Sequence, residues 1–376
     1  MGKWENVKLS DIGKIITGNT PKTSEPENYV SDDIPFIKPS DFSDDSLEIC
    51  NTEFYIAEAA RKKARIIAPE TIVVTCIGII GKTAIIANES AFNQQINAIE
   101  VNEKAHNRFV AYAIASQREY LQEFANAAVV PILNKTDFSN IQIPLPPLFE
   151  QKKIAATLDK VTDLINLRKK ELEKLDLLVK SRFVEMFGDP VENSMNWNRK
   201  PMDEVAPSIP YKEKIDGKVW LLNLDMVEPN TGRIIEYFYV DRSEVGNSTS
   251  AFDEGNVLYS KLRPYLNKVV IPNCKGYATT ELVPLRPNSS LNREFLAFLL
   301  RSDSFVSYIN EKVAGAKMPR VSMGDFREFK CILPPLNLQT QFANFVKQTD
   351  KSKNAVKKSL EKLETLKKAL MQEYFG

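Results

Sequence analysis

The chain is poor in the residues that most often carry chemistry. It has one histidine, His106, in a polar loop. Without a second histidine or a cysteine cluster, metal sites built on ring nitrogens and thiolates lack parts, and a surface histidine is the plain reading. Four cysteines, Cys50, Cys76, Cys274 and Cys331, lie far apart with no Cys-x-x-Cys pair, so neither a zinc site nor a disulfide framework is indicated. Net charge is only +1. That argues against a globally basic binder of polyanions, although a local basic groove can hide in a neutral total. Long hydrophobic runs are missing too. The most apolar stretch, Thr71 to Ala87, is broken by Lys82 and two glycines and is too short to span a bilayer. Met1-Gly2-Lys3-Trp4-Glu5 lacks the apolar core of a signal peptide, and a cytoplasmic chain is expected.

Three further motifs fail on inspection. Gly78-Ile79-Ile80-Gly81-Lys82-Thr83 ends like a nucleotide-binding loop, but the first glycine of that motif would fall on Cys76. The next residues, Ala84-Ile85-Ile86, read as a strand rather than a helix. A turn offering backbone N–H groups and one lysine to a DNA phosphate stands beside a plain hairpin turn as its reading. The two diprolines lack the Asn or Asp before and the aromatic after that an adenine methyltransferase motif needs. Glu171-Leu172-Glu173-Lys174 has the spacing of helix-surface charges, not of a nuclease centre. No catalytic centre is expected in this chain.

What is present is a long repeat. Pro146-Pro147-Leu148-Phe149-Glu150-Gln151 opens a charged, Leu-rich run that ends at Phe187-Gly188, and Pro334-Pro335-Leu336-Asn337-Leu338-Gln339 opens another that ends at Phe375-Gly376. The offset is 188 residues, half of the 376-residue chain. Each run reads as one long helix. Apolar residues at 154, 158, 161, 165, 172, 175, 179 and 186 alternate steps of four and three wherever Arg168 and Arg182 do not interrupt, the seven-residue repeat of a coiled-coil seam. The second seam is Phe342, Val346, Val356, Leu360, Leu363, Leu370 and Tyr374, interrupted by Thr349, Lys353 and Lys367. The diproline sets the start and Gly188 with Pro190 the stop. Residues 150–187 would make a helix of about 57 Å at roughly 1.5 Å per residue. Seam-to-seam pairing in one antiparallel coiled coil is expected, against two helices packed separately on their own domains.

The regions before each helix echo one another. Strands are predicted at 33–38, 71–75 and 82–86 and a helix at 109–124, then strands at 219–224 and 256–261 and a helix at 295–309. Each region reads as an α+β domain with a twisted, largely antiparallel sheet. Polar and basic clusters fall in matched places. The first domain has Lys38 with Ser40, Gly78, Gly81 and Lys82, Asn93, Gln94 and Gln95, then Asn134 and Lys135. The second has Asn223 with Asp225, Ser260, Lys261, Arg263 and Tyr265, Lys268, then Lys317 and Arg320. Asn and Gln can hold adenine by two hydrogen bonds, Arg and Lys guanine, and Lys, Ser and Thr fasten phosphates. For any one of them a solvated surface role is the plainer reading. Recurrence at matched positions argues for the set.

Taken together the sequence resembles the specificity (S) subunit of type I restriction–modification enzymes, over the whole chain. The likeness rests on Leu145-Pro146-Pro147-Leu148-Phe149-Glu150-Gln151 with the Lys152-Lys153-Ile154 helix, on the Trp4 and Trp197 starts, and on Phe92-Asn93-Gln94-Gln95-Ile96-Asn97. The second copy departs in having Leu338-Gln339 where the first has Glu150-Gln151. The resemblance implies target recognition domains at 1–147 and 189–335, each reading half of a split site on double-stranded DNA. It implies spacer helices at 148–188 and 336–376 that set the gap and dock two modification (M) subunits. Those would carry S-adenosylmethionine and methylate adenine, and restriction (R) subunits using ATP and Mg would join. This chain would hold no cofactor and meet no membrane. A coiled-coil adaptor that binds only proteins is the alternative, and it leaves the matched polar clusters without a task.

Overall fold

The computed structural model describes residues 4–126, 131–213, 215–314 and 318–376. It divides into two compact units, Met1–Glu171 with Val356–Gly376, and Leu172–Ala355. Each is α+β and each contains part of both long helices.

In the first unit a five-stranded sheet runs in the order Gly13–Thr17, Ile96–Val101, Ile72–Thr75, Thr83–Ile86, Glu48–Ile49. Its central strands, Ile-Val-Val-Thr and Thr-Ala-Ile-Ile, are buried at every position, so they read as continuous apolar runs instead of alternating ones. A second sheet orders Tyr55–Ile56, Ile34–Ile37, Ser90–Phe92 and Ile66–Ile67. Pairing is antiparallel except where Glu48–Ile49 meets Thr83–Ile86 and Ile34–Ile37 meets Ser90–Phe92. The second unit repeats the plan with a four-stranded sheet, Tyr239–Asp241, Lys218–Leu222, Gly276–Thr279, Thr249–Phe252, and a three-stranded one, Val269–Val270, Val257–Ser260, Leu282–Leu285. Its parallel pair is Lys218–Leu222 with Gly276–Thr279.

The single helix predicted in each domain is two. Asn107–Ser116 and Arg118–Asn126 part at Gln117, and Arg293–Arg301 and Asp303–Asn310 part at Ser302. Ser302 leaves the helical region, and its hydroxyl accepts from the Phe305 N–H to start the next helix. Apolar spacing carries across such a joint, which is why the sequence reads as one element.

The long helices are Leu148–Phe187 and Leu336–Phe375. The first stops at Gly188, whose φ of +72° suits glycine. A Cβ there would also lie 2.3 Å from the Ser194 hydroxyl. The Trp197 indole N–H donates to the terminal Phe187 carbonyl at 3.0 Å. Opposite ends of the two helices meet within each unit, as antiparallel pairing requires. In the first, Ile154, Ala155 and Leu158 share a core with Leu370, Met371, Tyr374 and Phe375. In the second, Val179, Phe183 and Phe187 share one with Phe342 and Val346.

The seam differs from the expectation at its middle. Ile154, Leu158, Val161, Ile165 and Val179 are buried, but Leu172, Leu175 and Met186 are only half-buried. Leu175 and Leu363, equivalent in the repeat, fall in different units. Antiparallel pairing matches residues whose numbers run in opposite directions, so equivalence in a repeat does not make partners. Lys353, an apparent interruption, is answered by Asp176 of the facing helix and Asp350 of its own.

Candidate nucleic-acid interface

The side chain that ties each long helix to its domain is a glutamine. Gln151 is 1% exposed and Gln339 0%. Gln151 Oε1 accepts from the His106 N–H at 2.8 Å, while Nε2 donates to the Lys104 and Pro146 carbonyls at 3.1 and 2.8 Å. Gln339 repeats the set: Oε1 accepts from the Asn292 N–H at 2.7 Å, and Nε2 donates to Ser290 and Pro334 at 3.1 and 2.8 Å. A buried carboxamide with donors and acceptor all paired fixes an orientation, because rotating it strands several groups at once. The change from Glu150 to Leu338 therefore leaves this lock whole. The sequence marks both glutamines as repeat residues but says nothing of their burial.

The other matched feature is a loop between two strands. In the first unit it runs from Cys76 to Lys82, with Gly78 and Gly81 at φ +77° and +81°. In the second it runs from Lys261 to Lys268, with Arg263 and Asn267 at φ +49° and +48°. Left-handed backbone is free for glycine but costs other residues about 1–2 kcal/mol, less for Asn. Both loops are stitched to a later segment, by the bridge Ile77 to Ile132 in one and Leu262 to Arg320 in the other. Both end in a lysine turned inward: Lys82 Nζ donates to the Phe42 carbonyl at 3.3 Å, and Lys268 Nζ to the Leu224 carbonyl at 2.6 Å. Burial pushes Lys268 below the ordinary lysine range, with Asp225 opposing. Lys82 also pairs with Asp44, which the Arg118 guanidinium, hydrogen-bonded to it, holds below the usual carboxylate range.

Several other expected contacts are engaged within the fold. Asn134 caps the helix Lys135–Asn140, accepting from the Asp137 N–H, and its amide nitrogen donates to the Asp137 carboxylate. Ser260 is buried, with its hydroxyl on the Leu262 carbonyl. Asn93 is buried and exchanges hydrogen bonds with Gln95. The half-buried Asn223 begins the short turn Leu224–Met226. Lys38 holds its ammonium 3.0 Å from the centre of the Phe54 ring.

Facing outward are Ser40, Gln94, Lys135, Asp225, Arg263, Tyr265 and Arg320, and Lys261 is half-exposed. Gln94 Oε1 accepts from the Thr20 hydroxyl at 2.6 Å. Arg320 pairs with Glu281 at 3.1 Å. The Arg263 guanidinium makes no hydrogen bond or ion pair among the described residues, and Lys317 lies outside them. Two clefts of the first unit, about 160 and 370 Å³, share Asp44, Asp45, Thr162 and Lys367 in their walls. There Lys169 pairs with Asp45 as Lys82 and Arg118 do with Asp44, so acids answer much of the positive charge. Among the described residues no group of acidic, His or Cys side chains could hold a metal ion, and no helix is long and apolar enough to cross a membrane. Residue types gave no sign of Ile79, 56% exposed at the tip of its loop.

A family model for the type I restriction modification DNA specificity domain matches residues 1–177 and 233–367. The MjaIX specificity subunit of Methanocaldococcus jannaschii is 25% identical over 374 residues, covering 91% of this chain and 86% of that protein. The EcoDI specificity subunit of Escherichia coli is 22% identical, covering 71% and 69%. Among solved structures, the S subunit of a type I restriction–modification system from M. genitalium superposes with a TM-score of 0.58 at 14% identity, over 100% of this chain and 96% of that one. A structure from work on type I complex assembly and conformational transition gives 0.60 at 18%, over 99% and 97%.

Proposed function

Because the chain belongs to the type I restriction modification DNA specificity family, we propose that residues 1–147 and 189–335 are two target recognition domains, each reading half of a bipartite DNA site. As a member it is the DNA specificity subunit of a type I restriction–modification system, itself non-catalytic, in a complex that methylates and restricts. Residues 148–188 and 336–376 are the spacer helices, which set the gap between the half-sites and dock two modification subunits. Methylation falls on adenine, with S-adenosylmethionine held by those subunits. ATP and Mg belong to the restriction subunits.

The observation that carries this reading is the duplicated frame with different furniture. Gln151 and Gln339 tie their helices to their domains by the same three hydrogen bonds. The equivalent loops, however, show Gly and Ile in one unit and Arg, Pro and Tyr in the other. A repeated frame with different reading residues suits an asymmetric bipartite target. A protein-only adaptor would have no use for the difference.

The test is to express the chain with its modification subunits in a host free of adenine methylation and to map the modified bases. One two-part motif with unlike halves is expected. Methylation without sequence preference, or a single continuous motif, would overturn the reading.

A further inference from the structure

The loops between Cys76 and Lys82 and between Lys261 and Lys268 each carry one exposed apolar side chain at the apex. Ile79 is 56% exposed and Tyr265 50%. A single exposed apolar residue is ordinary on a protein surface and carries no message alone. Recurrence at equivalent apices does, because the two loops share so little else in sequence.

The loops are also rigid. Gly81 N–H donates to the Thr75 carbonyl at 2.9 Å, Cys76 N–H to Gln95 at 2.8 Å, and Leu133 N–H to Cys76 at 2.9 Å. In the second loop Arg263 N–H donates to Pro319 at 2.8 Å, Asn267 N–H to Pro264 at 2.9 Å, and Val321 N–H to Lys261 at 2.8 Å. Its corners are left-handed although neither is glycine, and such outliers gather where geometry serves function. The base of each loop is tied to a segment that bears a polar reading candidate. The Cys76–Gln95 bond ties the first loop to the turn bearing exposed Gln94. The bridge from Leu262 ties the second to Arg320.

We propose that Ile79 and Tyr265 are specificity-determining residues, each making apolar contact with a base in the half-site that its own domain reads. This rests on the reading of the domains as DNA-reading modules. Phosphate contacts need donors or positive charge and carry no sequence information. Ile79 offers neither, so what it gains on DNA comes from a base, most simply from the thymine methyl group in the major groove. The Tyr265 hydroxyl can donate to a phosphate, and Tyr265→Phe, which removes that donor and keeps the ring, separates a phosphate bond from ring contact with a base. The rigid loop loses little freedom when it docks.

The experiment uses the chain in complex with its modification subunits, comparing wild type with Ile79→Ala and Tyr265→Ala. Both side chains are half-exposed or more, so truncation leaves the core untouched, and Ile79→Val and Tyr265→Phe control for the contact itself. Ile79→Ala should make one position degenerate in one half-site only, with about a fourfold loss of discrimination there, the size of one buried methyl group. Tyr265→Ala should do the same in the other half-site only. The salt dependence of binding should not change, because no phosphate contact is lost. The inference is overturned if both alanine variants keep the wild-type motif and discrimination, or if either alters both halves. A wild-type complex with no two-part motif would instead refute the reading of the domains, and this inference with it.

Discussion

Gln151 and Gln339 occupy positions where apolar residues would be expected at the root of an amphipathic helix. Truncating either to Ala strands one N–H and two carbonyls in a buried place. At about 1–3 kcal/mol for a stranded group, with partial relief from entering water, the loss should be about 2–4 kcal/mol. Denaturant unfolding of Gln151→Ala and Gln339→Ala would measure it, and Gln151→Met, which keeps the volume, should lose nearly as much. His106 supplies the second residue-scale expectation. It is half-buried rather than a solvated surface residue, and its Nδ1 has no hydrogen-bond partner among the described residues. Burial pushes its pKa below the ordinary 6.5, Lys152 and Arg108 add to this, and Asp159 and Glu70 oppose it. The folded chain thus binds the proton less readily than the unfolded one, so stability is full above about pH 6.5 and falls as the pH drops below it. As the sole histidine, it can be assigned without ambiguity. Unfolding midpoints between about pH 7 and 5.5 should fall in the wild type, and that slope should flatten in His106→Gln.

Among the elements, the helix pair is held most firmly where it enters a domain. Phe183, Phe187 and Phe342 lie with ring centres 5.2 to 5.6 Å apart, and Phe295 adds a fourth ring 4.7 Å from Phe187. Phe342→Ala or Phe183→Ala should cost about 3–5 kcal/mol. Leu175→Ala, on a half-buried position, should cost clearly less, and thermal unfolding of the three variants would rank them. An equal cost for Leu175 would mean the pair is as tightly packed at mid-length as at its ends. These helices were legible in the sequence to within a residue or two, because 40 residues of periodic pattern bounded by Pro-Pro and Gly leave few other readings. The partnering was less legible. A repeat aligns Leu175 with Leu363, whereas antiparallel packing sets Asp176 against Lys353. The site was legible in outline only. Residue type singled out Gln94, Arg263 and Arg320, whose side chains face outward, but it also picked Asn134 and Ser260, whose side chains serve a helix cap and a turn. It passed over Ile79, because an apolar residue signals a core until exposure is known.

At the scale of the whole molecule, both long helices have residues in both compact units, and under the proposed function their length would set the gap between half-sites. Forty residues correspond to about 60 Å of helix, which exceeds the roughly 34–36 Å between half-sites read one DNA turn apart. The measurement that tests the account most directly is a map of methylated adenines in cells carrying a lengthened pair. Four residues would be inserted after Glu171 and four after Ala355, since antiparallel partners must grow together. Each insertion adds about one turn, roughly 6 Å, or one to two base pairs at about 3.4 Å each. Both half-site sequences should persist, and the gap between them should grow by one or two base pairs. An unchanged gap, or a change in the half-site bases themselves, would contradict the proposed role of the helices.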